Sequence, residues 1–164
     1  MTGRDAIKTA LEMTGEQLNW FLGDFTDADM FVRPVPNANH AAWQVGNIIG
    51  GDIFFIKTEF PDAQFPEMPA GFLEKHGPEG TKLDGPEGFL TKDEYLKLFT
   101  AVRQAVTNTL GKLSDADLDK PSSEKMRKWA PTAGHVFLMC ANHTTMHVGQ
   151  FSVIRRKLGK PVLV

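Results

Sequence analysis

Between Thr91 and Leu113 an apolar residue returns at every third or fourth position: Tyr95, Phe99, Val102, Val106, Leu110 and Leu113. A strand would bring such residues back at every second position, so this stretch has to be a helix with one buried face. Thr91 and Glu94 stand in front of it with the spacing of a capping box, which fixes where the helix begins. A helix with one apolar stripe cannot stand alone; it needs partners of the same kind.

Three further segments supply them. Residues about 3–24 place Ile7, Leu11, Leu18, Phe21 and Leu22 near one face, with Thr2 available as a cap. A second helix is expected from about residue 40 to Phe60, capped by Asn39 and carrying Trp43, Ile48, Ile49, Phe54 and Phe55. Gly46, Gly50 and Gly51 interrupt it, and because each glycine costs up to ~1 kcal/mol in a helix interior, they imply close packing or room for a ligand. The last helix covers about 132–158, enters at Pro131 and stops at Gly159, with Arg155, Arg156 and Lys157 in its final turn complementing the helix dipole. No alternating, strand-like run competes with these four.

The connections differ in kind. From Pro61 to Leu90 five of the ten prolines and five of the fifteen glycines gather, too many for a long helix. Connections of this length are uncommon unless they serve a purpose, so this one is expected to roof a pocket or simply to link, with Phe65, Met68, Phe72 and Leu73 packing beneath it. The link SDADLDKPSSEKMRKWAP before the last helix is polar, with Trp129 as its expected anchor. The sequence thus predicts an all-α four-helix bundle, one domain over residues 1–164, with a long crossover loop between helices 2 and 3 that lets those two helices run parallel.

Composition removes several classes of function. A net charge of −2 gives no basic field for nucleic acid, and no apolar run reaches the ~18 residues of a membrane span. The N-terminal segment lacks the continuous apolar core of a secretory signal and Cys140 has no second cysteine to pair with, so a cytoplasmic location is expected.

The chemistry-bearing feature is His143 and His147 in NHTTMHVGQ. Four residues apart on a helix, their imidazoles lie one above the other and can grip one metal ion. The spacing alone also fits one histidine packed in the core and one in solvent, but Val136, Phe137, Met139, Val148, Phe151 and Ile154 around the pair turn it toward the interior. Cys140 shares that side as a soft donor, against the commoner reading of a buried cysteine as a small hydrophobe. His76 and His135 read as ordinary polar residues, and the role of His40 stays open.

The segments VRPVPNANHAAWQVGNIIGGDIFF at 32–55 and HTTMHVGQFSVIRRKLGKP at 143–161, with the order of helices around them, resemble the DinB/YfiT-like superfamily of small metalloproteins. The resemblance covers essentially the whole chain and is most specific in the last helix. It implies a four-helix bundle, commonly a homodimer, that holds a divalent metal ion, nickel or zinc, through one histidine on the second helix and two on the last. His143 and His147 match the last-helix pair. The second-helix histidine aligns with Asn47, four residues after Trp43, which would offer an amide oxygen in place of an imidazole and bind zinc or nickel more weakly.

The resemblance implies a metal-dependent enzyme of the thiol-dependent transferase, isomerase or hydrolase class, acting on a small-molecule substrate. The catalytic residues stay unassigned; Asp52 and Gln150 lie near the matched positions. The alternative is a non-catalytic bundle whose metal site has decayed and whose Trp43, Asn47, Cys140, His143 and His147 bind an organic ligand or a partner. A structural protein whose polar cluster only satisfies itself is the third reading.

Overall fold

The structure, a computed structural model, describes residues 1–163. Among them there is no strand; the regular elements are α1 (Gly3–Leu22), α2 (Ala41–Glu59), α3 (Phe72–Lys75), α4 (Lys92–Gly111), α5 (Asp115–Leu118) and α6 (Ala133–Lys157), with two 3-10 turns at Asp29–Phe31 and Pro78–Lys82. No described helix is long and apolar enough to cross a membrane. Capping boxes open α1 (Thr2 with Asp5), α4 (Thr91 with Glu94) and α5 (Ser114 with Asp117). The cap of α2 is His40 and not Asn39: its Nδ1 accepts the backbone N–H of Trp43, while its Nε2–H donates to the Leu83 carbonyl. An imidazole can cap as a short polar side chain does, and this one also ties the helix start to the crossover segment.

The four long helices close a ring in which α1 and α2 each pack against both α4 and α6. Contacts near the two ends set their directions. Ile7 meets Gly134 and Arg155 reaches the Phe21 carbonyl, so α1 and α6 run the same way. Gln44 meets His147 while Gly51 meets His143, so α2 runs against α6. Phe99 lies on Gly15 and Arg103 reaches Leu11, so α4 runs against α1 and along α2.

The apolar core comes in two clusters, and the gap between them falls at the same level in all four helices. One cluster is built around Leu18, Leu22, Ile48, Ile49, Phe99, Val102, Phe151 and Ile154, the other around Ile7, Leu11, Ile56, Val106, Leu110, Phe137 and Cys140. Between them lie Thr14 of α1, Asp52 of α2, Arg103 of α4 and Thr144 of α6, all buried. Arg103 Nη2 stands 3.0 Å from Asp52 Oδ2 and donates to Thr144 Oγ1 at 2.6 Å, while Nη1 makes long contacts to Thr14 Oγ1 and the Leu11 carbonyl. Burial raises the Asp52 carboxyl to about 6 even with the Arg103 charge beside it pulling it down.

Between α2 and α4 the crossover segment is folded onto the ring. Arg33 gathers it: its guanidinium bonds Asp84 and the carbonyls of Ala38, Thr81 and Leu83. Phe72 is buried and Phe65 and Met68 pack against the first cluster, as their apolar character requires. The second connection corrects one expectation. Trp129 is 63% exposed, and the segment is anchored by Met126 and Ala130, smaller side chains that fit the space beside the second cluster.

Removing one member of a buried ion pair leaves the other charge in the core without compensation. Arg103→Met should lower unfolding free energy in urea by about 3 kcal/mol, and adding Asp52→Leu should recover most of the loss. A loss below about 1 kcal/mol in the single variant would show that the pair does not organise this layer.

Candidate functional site

On α6, beside the Arg103 layer and one turn beyond it, His143 and His147 turn their rings toward each other. Their Nε2 atoms are 3.1 Å apart. His147 is buried between α6 and α2, edge-on to Trp43, and His143 stands edge-on to Phe55. The other nitrogen of His147, Nδ1, lies 3.0 Å from Gln44 Oε1, and Gln44 Nε2 donates to the Asn39 carbonyl. That carbonyl can only accept, so the Gln44 amide has one orientation and its oxygen must take a proton from His147 Nδ1. His147 Nε2 is then a bare lone pair pointed at His143. Burial holds both imidazoles below their ordinary range, His147 down to about 3, with the neighbouring His143 adding to the effect.

This arrangement meets two requirements of a metal site. At the usual zinc–nitrogen distance of about 2.0–2.1 Å, two nitrogens 3.1 Å apart subtend an angle of about 98° at a shared ion, between the octahedral and tetrahedral values. The Gln44 contact is the kind of outer bond that fixes a ligating imidazole in the right tautomer. A third strong donor is missing: among the described residues no group of three or more His, Cys, Asp or Glu could hold a metal ion. Asn47 donates from Nδ2 to the His76 carbonyl at 2.9 Å, which leaves its Oδ1 free of that bond. The residues present therefore fit an ion held by two imidazoles and at most one amide oxygen, with water in the remaining positions.

Cys140 does not join them. Its thiol is fully buried, bonded to the Val136 carbonyl, and raised well above its usual range by burial and the nearby Asp52 charge, so it stays protonated. His40 is spent on the α2 cap, His135 is exposed and bonded to Thr132, and Gln150 is exposed. Asp52 belongs to the Arg103 layer with no exposed surface, so it cannot serve as a base toward a bound molecule.

The three glycines of α2 have separate reasons. A Cβ on Gly46 would sit 2.0 Å from the His76 ring and one on Gly51 would sit 2.7 Å from His143 Nδ1, whereas one on Gly50 would meet only Leu73 at 3.5 Å. The first two are notches for imidazoles; the third borders open space. Beside them is a cleft of about 490 Å³ lined by Asn47, Phe54, Phe55, Leu73, His76 and His143 among others. Its volume is that of a small-molecule site.

His76 is the residue that sequence reasoning undervalued. It sits in the crossover segment and lines the same cleft as His143, but both ring nitrogens are used: Nδ1–H donates to the Phe72 carbonyl and Nε2 accepts from the Tyr95 hydroxyl. Burial lowers it to about 4, which keeps the accepting lone pair. Its role is to hold the roof. Trp43 Nε1 donates to the Gly77 carbonyl and Asn47 Nδ2 to that of His76, so residues one turn apart on α2 clamp successive carbonyls of the roof. Gln44 and Arg103 were missed as well. The only signal for either was a long polar residue inside an apolar run, next to Trp43 in one case and Val102 in the other.

Since a methyl at residue 46 and the His76 ring cannot share the notch, Gly46→Ala should expel the ring and loosen the roof. Hydrogen exchange should quicken at residues 72–82, with a stability loss of about 1–3 kcal/mol. Unchanged exchange there would mean that the notch does not seat the roof.

No curated protein matches the sequence. The family model of the DinB superfamily matches residues 10–151, a span that takes in every residue of the histidine pair, its Gln44 support, the Arg103 layer and the roof. The chain belongs to the DinB superfamily.

Proposed function

We propose that this protein is a metal-dependent enzyme acting on a small molecule, with a divalent zinc or nickel ion held by His143 and His147 and assisted by Asn47 Oδ1. The observation that carries the reading is the opposed pair of Nε2 atoms with His147 locked by Gln44 in the tautomer that frees its lone pair. The ion would supply Lewis acidity, lowering the pKa of a bound water or thiol, the chemistry of thiol-dependent transferases, isomerases and hydrolases.

The chain's own groups do the rest. Gln44 keeps His147 in one orientation, Trp43 and Asn47 hold the roof over the cleft, and Phe54, Phe55 and Leu73 keep bulk water from its inner wall. Among the described residues no carboxylate lines the cleft, and His143 is committed to the ion, so proton transfer there falls to solvent. One observation favours a second reading, a ligand-binding protein with a decayed metal site: the Asn47 amide is engaged with the roof.

Calorimetric titration with zinc and with nickel separates the two. One ion should bind the natural protein, bind Asn47→His about tenfold or more tightly, and fail to bind His143→Ala. Binding that survives His143→Ala, or no binding to either the natural protein or Asn47→His, would end the metal reading.

A further inference from the structure

The wall of the cleft beside His143 differs from those of four other hollows of the surface. Those four are each lined by at least two charged side chains: Glu59, Asp62 and Lys112; Glu12, Glu16 and Arg103; Asp115 and Asp119; Asp27, Lys92 and Asp93. Among the described residues no Asp, Glu, Lys or Arg lines the cleft of about 490 Å³. Its two lips, Phe54 on α2 and Leu73 on α3, are 59% and 47% exposed, large apolar side chains held in water on either side of one opening. Further in, Phe55 stands edge-on to Phe54 at 5.9 Å and edge-on to His143 at the same distance, a run of ring edges and faces suited to another aromatic ring. The polar side chains of the lining are His76, whose ring nitrogens are both bonded, His143, and Asn47, whose Nδ2 is already bonded, leaving Oδ1 to accept.

A charged ligand entering such a cleft would lose its hydration and find no counter-charge, whereas an uncharged ring would gain by leaving water. We propose that the ligand of this cleft is a small uncharged aromatic molecule bearing one hydrogen-bond donor, with its ring between Phe54, Phe55 and Leu73 and, in the metal-free protein, its donor on Asn47 Oδ1. The assignment rests on the reading of the cleft as the ligand side of the His143 site, and it names the class of molecule that site receives. Gly50 is where the chain makes room: a Cβ there meets only Leu73 at ordinary contact distance, so a larger side chain would be accepted by the helix and would occupy the cleft.

The test is fluorescence titration of chelator-treated protein with 2-naphthol and 2-naphthoate, which share a ring system and differ in charge at pH 7. Naphthol should bind, and naphthoate should bind about tenfold more weakly or worse. Gly50→Leu should abolish naphthol binding. Phe54→Ser, a change at an exposed lip that the fold tolerates, should weaken it severalfold, so the result does not hang on one variant. Circular dichroism verifies that both remain helical. Equal or tighter binding of naphthoate, no naphthol binding, or naphthol binding undiminished in both variants would overturn the assignment. Because metal is absent from this titration, such a failure leaves the calorimetric test of the histidine pair untouched, and a failure there leaves this one standing.

Discussion

One guanidinium joins all four long helices. Arg103 of α4 reaches Asp52 of α2, Thr144 of α6 and, at longer range, Thr14 and the Leu11 carbonyl of α1. Apolar clusters above and below it are free to slide by a turn without changing their chemistry; an ion pair and a directed hydroxyl bond are not. The layer thus sets the axial register of α6 against α2. With that register, residue 147 comes level with Gln44 and residue 143 with Gly51. A shift of one turn would part His147 from its amide and drive His143 into a side chain.

The site is assembled by matching imidazoles to absences and to amides. Glycines on α2 admit the rings of His76 and His143, and Gln44 and Asn47 each use one amide group on the backbone and keep the other end for the interior. Asn47 is the informative member. Its Nδ2 holds the roof and its Oδ1 is left free of that bond, so one residue stands between two uses of the same cleft. The two readings of function differ in whether Oδ1 of that amide completes a metal site or meets an organic donor.

Much of this was legible in the sequence for physical reasons. Helix periodicity, the Thr91–Glu94 capping box and the Thr2 cap report local energetics, which is why α1, α4 and α6 were placed to within a residue or two at most ends. The pair at 143 and 147 was legible because a helix converts a spacing of four into contact. What escaped depends on residues far apart in the chain. Nothing near Arg103 announces Asp52, 51 positions earlier, and nothing near residue 76 says that a glycine at 46 will receive its ring. His40 replaced Asn39 as a cap because the crossover segment offers its ring a second partner at Leu83, and Trp129 is left outside because Met126 and Ala130 already fill the space beneath it.

The central claim is that Gln44 sets the tautomer of His147 and so aims a lone pair at His143. Long-range nitrogen–proton NMR correlation on the chelator-treated protein reads each imidazole's protonated nitrogen directly. Both rings should be neutral at pH 7, with the proton of His147 on Nδ1 and that of His143 on Nε2. A proton on Nε2 of His147, or a Gln44→Leu variant whose His147 keeps the same tautomer, would contradict it.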